Sequence, residues 1–163
     1  MYKMLDLTEI PESSPVFFMA SYYDRLPRLG PNDSEQLPLP LWSDFNPVEI
    51  RKILAWTMVI QRNEASPSGH LIKLEGDKII EASGVNSMGK TLAEAFDPEM
   101  AQIKWQEMED VAQQRRTSFT LSPVPRSDRS FIDLYRGCFP FCDAQGDVCR
   151  LVIIVAPVKD VVR

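Results

Sequence analysis

At 163 residues with 44% hydrophobic content, the chain is long enough for one core with peripheral extensions and too short for two full domains. Its 18 basic and 23 acidic residues leave a formal net charge of −5 with no long basic run, which argues against nucleic acid as a partner. The opening residues Met1 to Asp6 lack the apolar core of a signal peptide, and nowhere do about 18 apolar residues run together, so the expectation is a soluble, cytoplasmic protein with no membrane insertion.

From Pro11 to Pro40 the chain is rich in proline and short polar residues, interrupted by the apolar patch Val16, Phe17, Phe18, Met19, Tyr22 and Tyr23. Residues 1–37 read as a partly helical leader, with the domain proper at 38–163. The patch is too apolar to leave in water, so it packs on its own domain or on a second copy. Phe17, Phe18, Met19, Tyr22 and Tyr23 are accordingly the candidate interface residues, and a homodimer is expected.

Asn46-Pro47 is a helix start, with Asn46 capping free backbone N–H groups and Pro47 at the first helical position; Ile50, Ile53 and Leu54 then share a face. Trp56 to Gln61 and His70 to Leu74 read as strands separated by the turn Pro67-Ser68-Gly69. Asp77 caps a short helix through Ile79, Ile80 and Ala82, closed by Gly84, and a further short segment runs from Leu92 to Phe96. Asp97-Pro98 opens the long helix, approximately 98–116, with Met100, Ile103, Met108 and Val111 biased to one side and Arg115-Arg116 at its end. Its acids Glu107, Glu109 and Asp110 read as a solvated face. Phe119 and Leu121 alternate with polar neighbours as in a half-buried strand, Phe131 to Phe141 supplies another, and the turn 143–147 leads into Val148 to Ala156. That last run is nearly all apolar and belongs at the centre of a sheet.

This order of helix, two strands, short helices, one long helix and three strands points to an α+β fold with an antiparallel sheet and helices on one face. The chain resembles the PAS-like family common in alphaproteobacteria, over roughly residues 38–158. The resemblance is carried by Asp44-Phe45-Asn46-Pro47 leading to Ile50 and Leu54, by the strand His70 to Gly76 ending in glycine, by Gly84 and Gly89-Lys90-Thr91-Leu92, and by the Asp143 to Gly146 hairpin. It departs at His70-Leu71, where that family often starts the strand with arginine or tyrosine. The resemblance implies a five-stranded sheet and a ligand pocket between the long helix and the sheet. It also implies a regulatory rather than catalytic role, exerted through contact with another signalling protein or a second copy.

Chemistry-bearing motifs are sparse. Triads need a histidine, His70 is the sole one, and neither G-x-S-x-G nor a phosphate-cradling glycine loop occurs. Cys138 and Cys142 on one strand would stand roughly 13 Å apart, too far to share a metal, so no metal, haem or other cofactor is expected. Cys142 and Cys149 are symmetric about the 145–146 turn, which leaves either a redox pair or ordinary reduced thiols. Trp105, Tyr135, Arg136 and His70 are the candidate ligand contacts. The alternative is a small cone-shaped α+β enzyme of isomerase or dehydratase type, with Asp133 beside Tyr135 on one strand face as its acid–base pair.

Overall fold

The structure, a computed structural model, describes residues 2–28, 37–63 and 66–163. It runs β1 (Lys3–Leu5), α1 (Pro15–Arg25), a 3-10 segment (Pro47–Trp56) kinked at Ile50, β2 (Thr57–Arg62), β3 (His70–Glu75), α2 (Asp77–Ser83), α3 (Leu92–Ala95), α4 (Pro98–Gln114), β4 (Ser118–Pro123), β5 (Asp133–Cys142) and β6 (Val148–Pro157). The strands form one antiparallel sheet in the order β1-β4-β5-β6-β2-β3. The count is six rather than five because Lys3 to Leu5 pair with Leu121 to Phe119 and extend one edge.

β6 lies between β5 and β2, as its apolar run demands. Successive side chains of a strand point to opposite faces, so a strand with both sets apolar must be covered twice. Leu151, Ile153 and Val155 meet α2, α3 and α4, whereas Val152 and Ile154 meet α1 and the 47–56 segment. Helices thus lie on both faces of the sheet rather than on the one expected, because α1 and the 47–56 segment cover the second apolar face.

α1 comes from the leader, whose residues 29–36 lie outside the described residues. Ser14 caps it by accepting the Val16 N–H, Pro15 opens it, and Val16, Met19, Tyr22 and Tyr23 turn inward. Tyr23 packs against Phe139 and Phe141 with centroids at 5.2 and 5.4 Å, and its hydroxyl donates to the Pro140 carbonyl at 2.6 Å. The Tyr22 hydroxyl accepts the Asn46 N–H at 2.9 Å, tying α1 to the cap of the next segment. Each of these side chains contributes roughly 1.5–3 kcal/mol of burial. Gly137 lets α1 approach β5: a Cβ there would stand 2.8 Å from the Phe139 ring and 2.9 Å from Val16 Cγ1.

Three local expectations are corrected. The cap of α2 is Gly76, with Asp77 already helical. Gly76 is needed for space, because a Cβ would collide with the carbonyl oxygens of Leu54 and Ala55. α4 stops at Gln114, where Arg115 takes the left-handed conformation at φ 54°, and its guanidinium donates to the carbonyls of Leu37 and Gly146. β5 begins at Asp133, leaving Phe131 exposed in the preceding turn.

Candidate functional site

Between the sheet and the helices lies a cavity of about 90 Å³. Alternate residues of β5 and β6, Leu134, Arg136 and Val155, form its floor; α2 and α3 supply Ile79, Ala82 and Leu92, and α4 supplies Lys104 and Met108. The pair on α4 is four residues apart and so shares one face of the helix. The lining is apolar apart from Lys104, Arg136, Glu75, Arg126 and two serines.

Lys104 is only 8% exposed. Its ammonium stands 3.8 Å from Glu107 Oε2, the oxygen that also accepts Arg136 Nη1 at 2.9 Å. Burial first, and the Arg136 charge second, push the Lys104 pKa down to about 7, against the opposing pull of Glu107. Glu75 at the end of β3 accepts the Ser87 N–H at 2.9 Å and so ties the sheet to the loop between α2 and α3; burial raises its pKa.

A second buried cluster lies farther along α4. Glu109, 2% exposed, accepts Arg62 Nε and Nη2, both at 2.7 Å, in a two-pronged pair joining α4 to β2. His70 is fully buried beside it, its Nε2 at 3.1 Å from Glu109 Oε1 but without hydrogen-bond geometry. Burial lowers the His70 pKa, and Glu109 works against that.

The sequence matches no protein-family model, and no curated protein matches it. Among solved structures it is similar to the PAS domain of BvgS from Bordetella pertussis, with a TM-score of 0.51 and 20% identity over 70% of this chain and 88% of that one. The fold is PAS-like. Two further structures align: an RNA-binding light-oxygen-voltage receptor (TM-score 0.47, 13% identity, 82% of this chain but 37% of that one) and a C-terminal domain from Streptococcus mutans (TM-score 0.45, 16% identity, 83% and 96%).

Within this PAS-like fold the candidate ligand contacts are split up. Arg136 lines the cavity. Tyr135, its neighbour on β5, points to the opposite face and packs with the α1 cluster, as strand alternation requires. Trp105 packs against the helix-side core with its indole N–H buried and unpaired, outside the cavity lining. His70 belongs to the Glu109 cluster. Of the candidate interface residues, Met19, Tyr22 and Tyr23 are buried within the single chain, while Phe17 and Phe18 are half-buried.

The acids of α4 are not one solvated face: Glu109 is buried and Glu107 holds Arg136, leaving Asp110 exposed. All three cysteines are free. Cys142 pairs across the hairpin with Val148, because the register shifts after Phe141 and skips Cys149. Burial pushes the Cys138 thiol up to about 12, which leaves it unreactive. Lys104 is one of the charged cavity residues that sequence reasoning missed, with Glu75 and Arg126. Its signal was its position four residues before Met108, which carries it to the same inward face.

Proposed function

We propose that this chain is a sensory or regulatory domain, akin to the stand-alone PAS-like family of alphaproteobacteria, that acts by binding rather than by catalysis. It holds a small ligand between the sheet and the helices. Its output passes, in the cytoplasm and without nucleic acid, to another signalling protein or a second copy of itself. The observation that carries this reading is the cavity of about 90 Å³, apolar over most of its lining and served by three cations, Lys104, Arg126 and Arg136. Pockets for drug-sized ligands commonly occupy about 300–1,000 Å³, so this one suits a molecule of only a few heavy atoms.

The Glu75–Ser87 hydrogen bond supports a route for the signal, since it links the cavity wall to the sheet. Phe17 and Phe18 on α1, the members of the aromatic patch with surface left to offer, are the contact residues we assign to the partner. The enzyme alternative has less support, because Asp133 is exposed and Tyr135 faces away from the cavity.

Native mass spectrometry of protein purified from its host tests the proposal. The expected result is a bound small mass, a copurifying chain or a dimer that dissociates in the Phe17→Ser, Phe18→Ser double variant. A ligand-free monomer with no companion would overturn it.

A further inference from the structure

One carboxylate serves two cations on the wall of the cavity. Glu107 Oε2 accepts Arg136 Nη1 at 2.9 Å, and the Lys104 ammonium reaches the same oxygen only at 3.8 Å, beyond hydrogen-bond distance. Among the described residues Lys104 Nζ makes no hydrogen bond, although its side chain is 10% exposed. Two cations thus share one carboxylate, which leaves the Lys104–Arg136 pair with one positive charge in excess beside the cavity. Glu75, the one acid among the described lining residues, does not offset it: its Oε1 is taken by the Ser87 N–H, and burial drives its carboxyl toward the neutral form. Apart from Arg126, Ser83 and Ser87, the remainder of the lining, Ile79, Leu92, Phe96, Val124 and Leu134 among it, offers only hydrocarbon.

We infer that the cavity takes a short aliphatic monocarboxylate, its oxygens on Lys104 and Arg136 and its alkyl chain against the apolar lining. Size sets the length. An apolar cavity of about 150 Å³ takes benzene, so the smaller volume here suits roughly two to four carbons, carboxyl included. Both cations can donate to a carboxylate at once, and such charge-assisted bonds are stronger than neutral ones. The inference rests on the reading of this domain as a ligand binder.

Calorimetric titration of the purified chain with acetate, propionate and butyrate, and with butyramide and 1-butanol as uncharged probes of similar shape, tests it. The variants are Lys104→Met, which keeps a linear apolar side chain of similar length and is checked for folding by circular dichroism, and Lys78→Met, an exposed lysine on α2 as control. The expected result is saturable binding of propionate or butyrate, about tenfold or more tighter than butyramide, lost in Lys104→Met and kept in Lys78→Met. Equal binding of amide and carboxylate, or unchanged carboxylate binding in a folded Lys104→Met, overturns the carboxylate assignment and leaves the ligand-binding reading standing. If none of the five probes binds at millimolar concentration, the carboxylate inference falls; if extracts of the host also yield no bound mass, the ligand-binding reading falls with it.

Discussion

Replacing Glu109 with Gln is expected to loosen the docking of α4 on the sheet while leaving packing volume unchanged. Glu109 is 2% exposed and takes two hydrogen bonds of 2.7 Å from Arg62. Glutamine offers one oxygen where the carboxylate has two, and it turns an amide donor toward a guanidinium that can only donate. Breaking a fully buried ion pair costs about 3–5 kcal/mol. The Arg62 side chain is 27% exposed and keeps its Nη1 bond to the Val148 carbonyl, so solvent and that bond soften the loss. We expect a loss of about 2–3 kcal/mol, read as a fall of about 5–10 °C in Tm for a domain of this size. Urea denaturation at pH 7, followed by circular dichroism in parallel for wild type and Glu109→Gln, measures it. A loss below about 1 kcal/mol would refute the argument, because the pair would then behave as an exposed surface bridge.

Four further outcomes follow from the same structure. Burial lowers the folded-state pKa of His70, so below the unfolded value of 6.5 the unfolded chain takes up a proton that the folded chain refuses; stability should fall as pH drops through that point, and His70→Gln should flatten the fall in denaturation curves at pH 7.5 and 5.5. Lys104 is held at about 7 in the folded chain against 10.5, so stability should rise between those two pH values; Lys104→Met should abolish the rise and, at pH 6, stabilise the domain by about 1–4 kcal/mol in urea melts. Gly76→Ala should destabilise by about 2–3 kcal/mol in the same assay, since its new methyl group meets the backbone of Leu54 and Ala55 rather than a side chain that can move. Tyr23→Phe removes the sole hydroxyl on the Pro140 carbonyl and should cost about 1–2 kcal/mol, with secondary structure unchanged by far-ultraviolet circular dichroism.

Local chemistry determined much of this fold from the sequence alone. Asn46-Pro47 and Asp97-Pro98 are capping pairs whose effect is complete within one helical turn, and both open helical segments where expected. Val148 to Pro157 is nearly all apolar, so it had to lie at the centre of a sheet, although the cover of α1 on the second face was not foreseen, and the turn 143–147 closes the last hairpin. The candidate site was hardly legible, because its polar residues depend on rotations that periodicity does not resolve. Ile103, expected inward on hydropathy, is 45% exposed, while Lys104 beside it is buried. The roughly 100° between neighbouring helical residues decides such a choice, and only the docking angle of α4 on the sheet sets it. Glu109 reads as solvated until Arg62, 47 residues away, is brought beneath it. The hairpin likewise gives Cys142 the partner Val148 rather than Cys149, because one shift of register outweighs sequence symmetry. Pattern along the chain thus decided where elements begin and which strand lies at the centre; contacts between distant segments decided which side chains share the cavity.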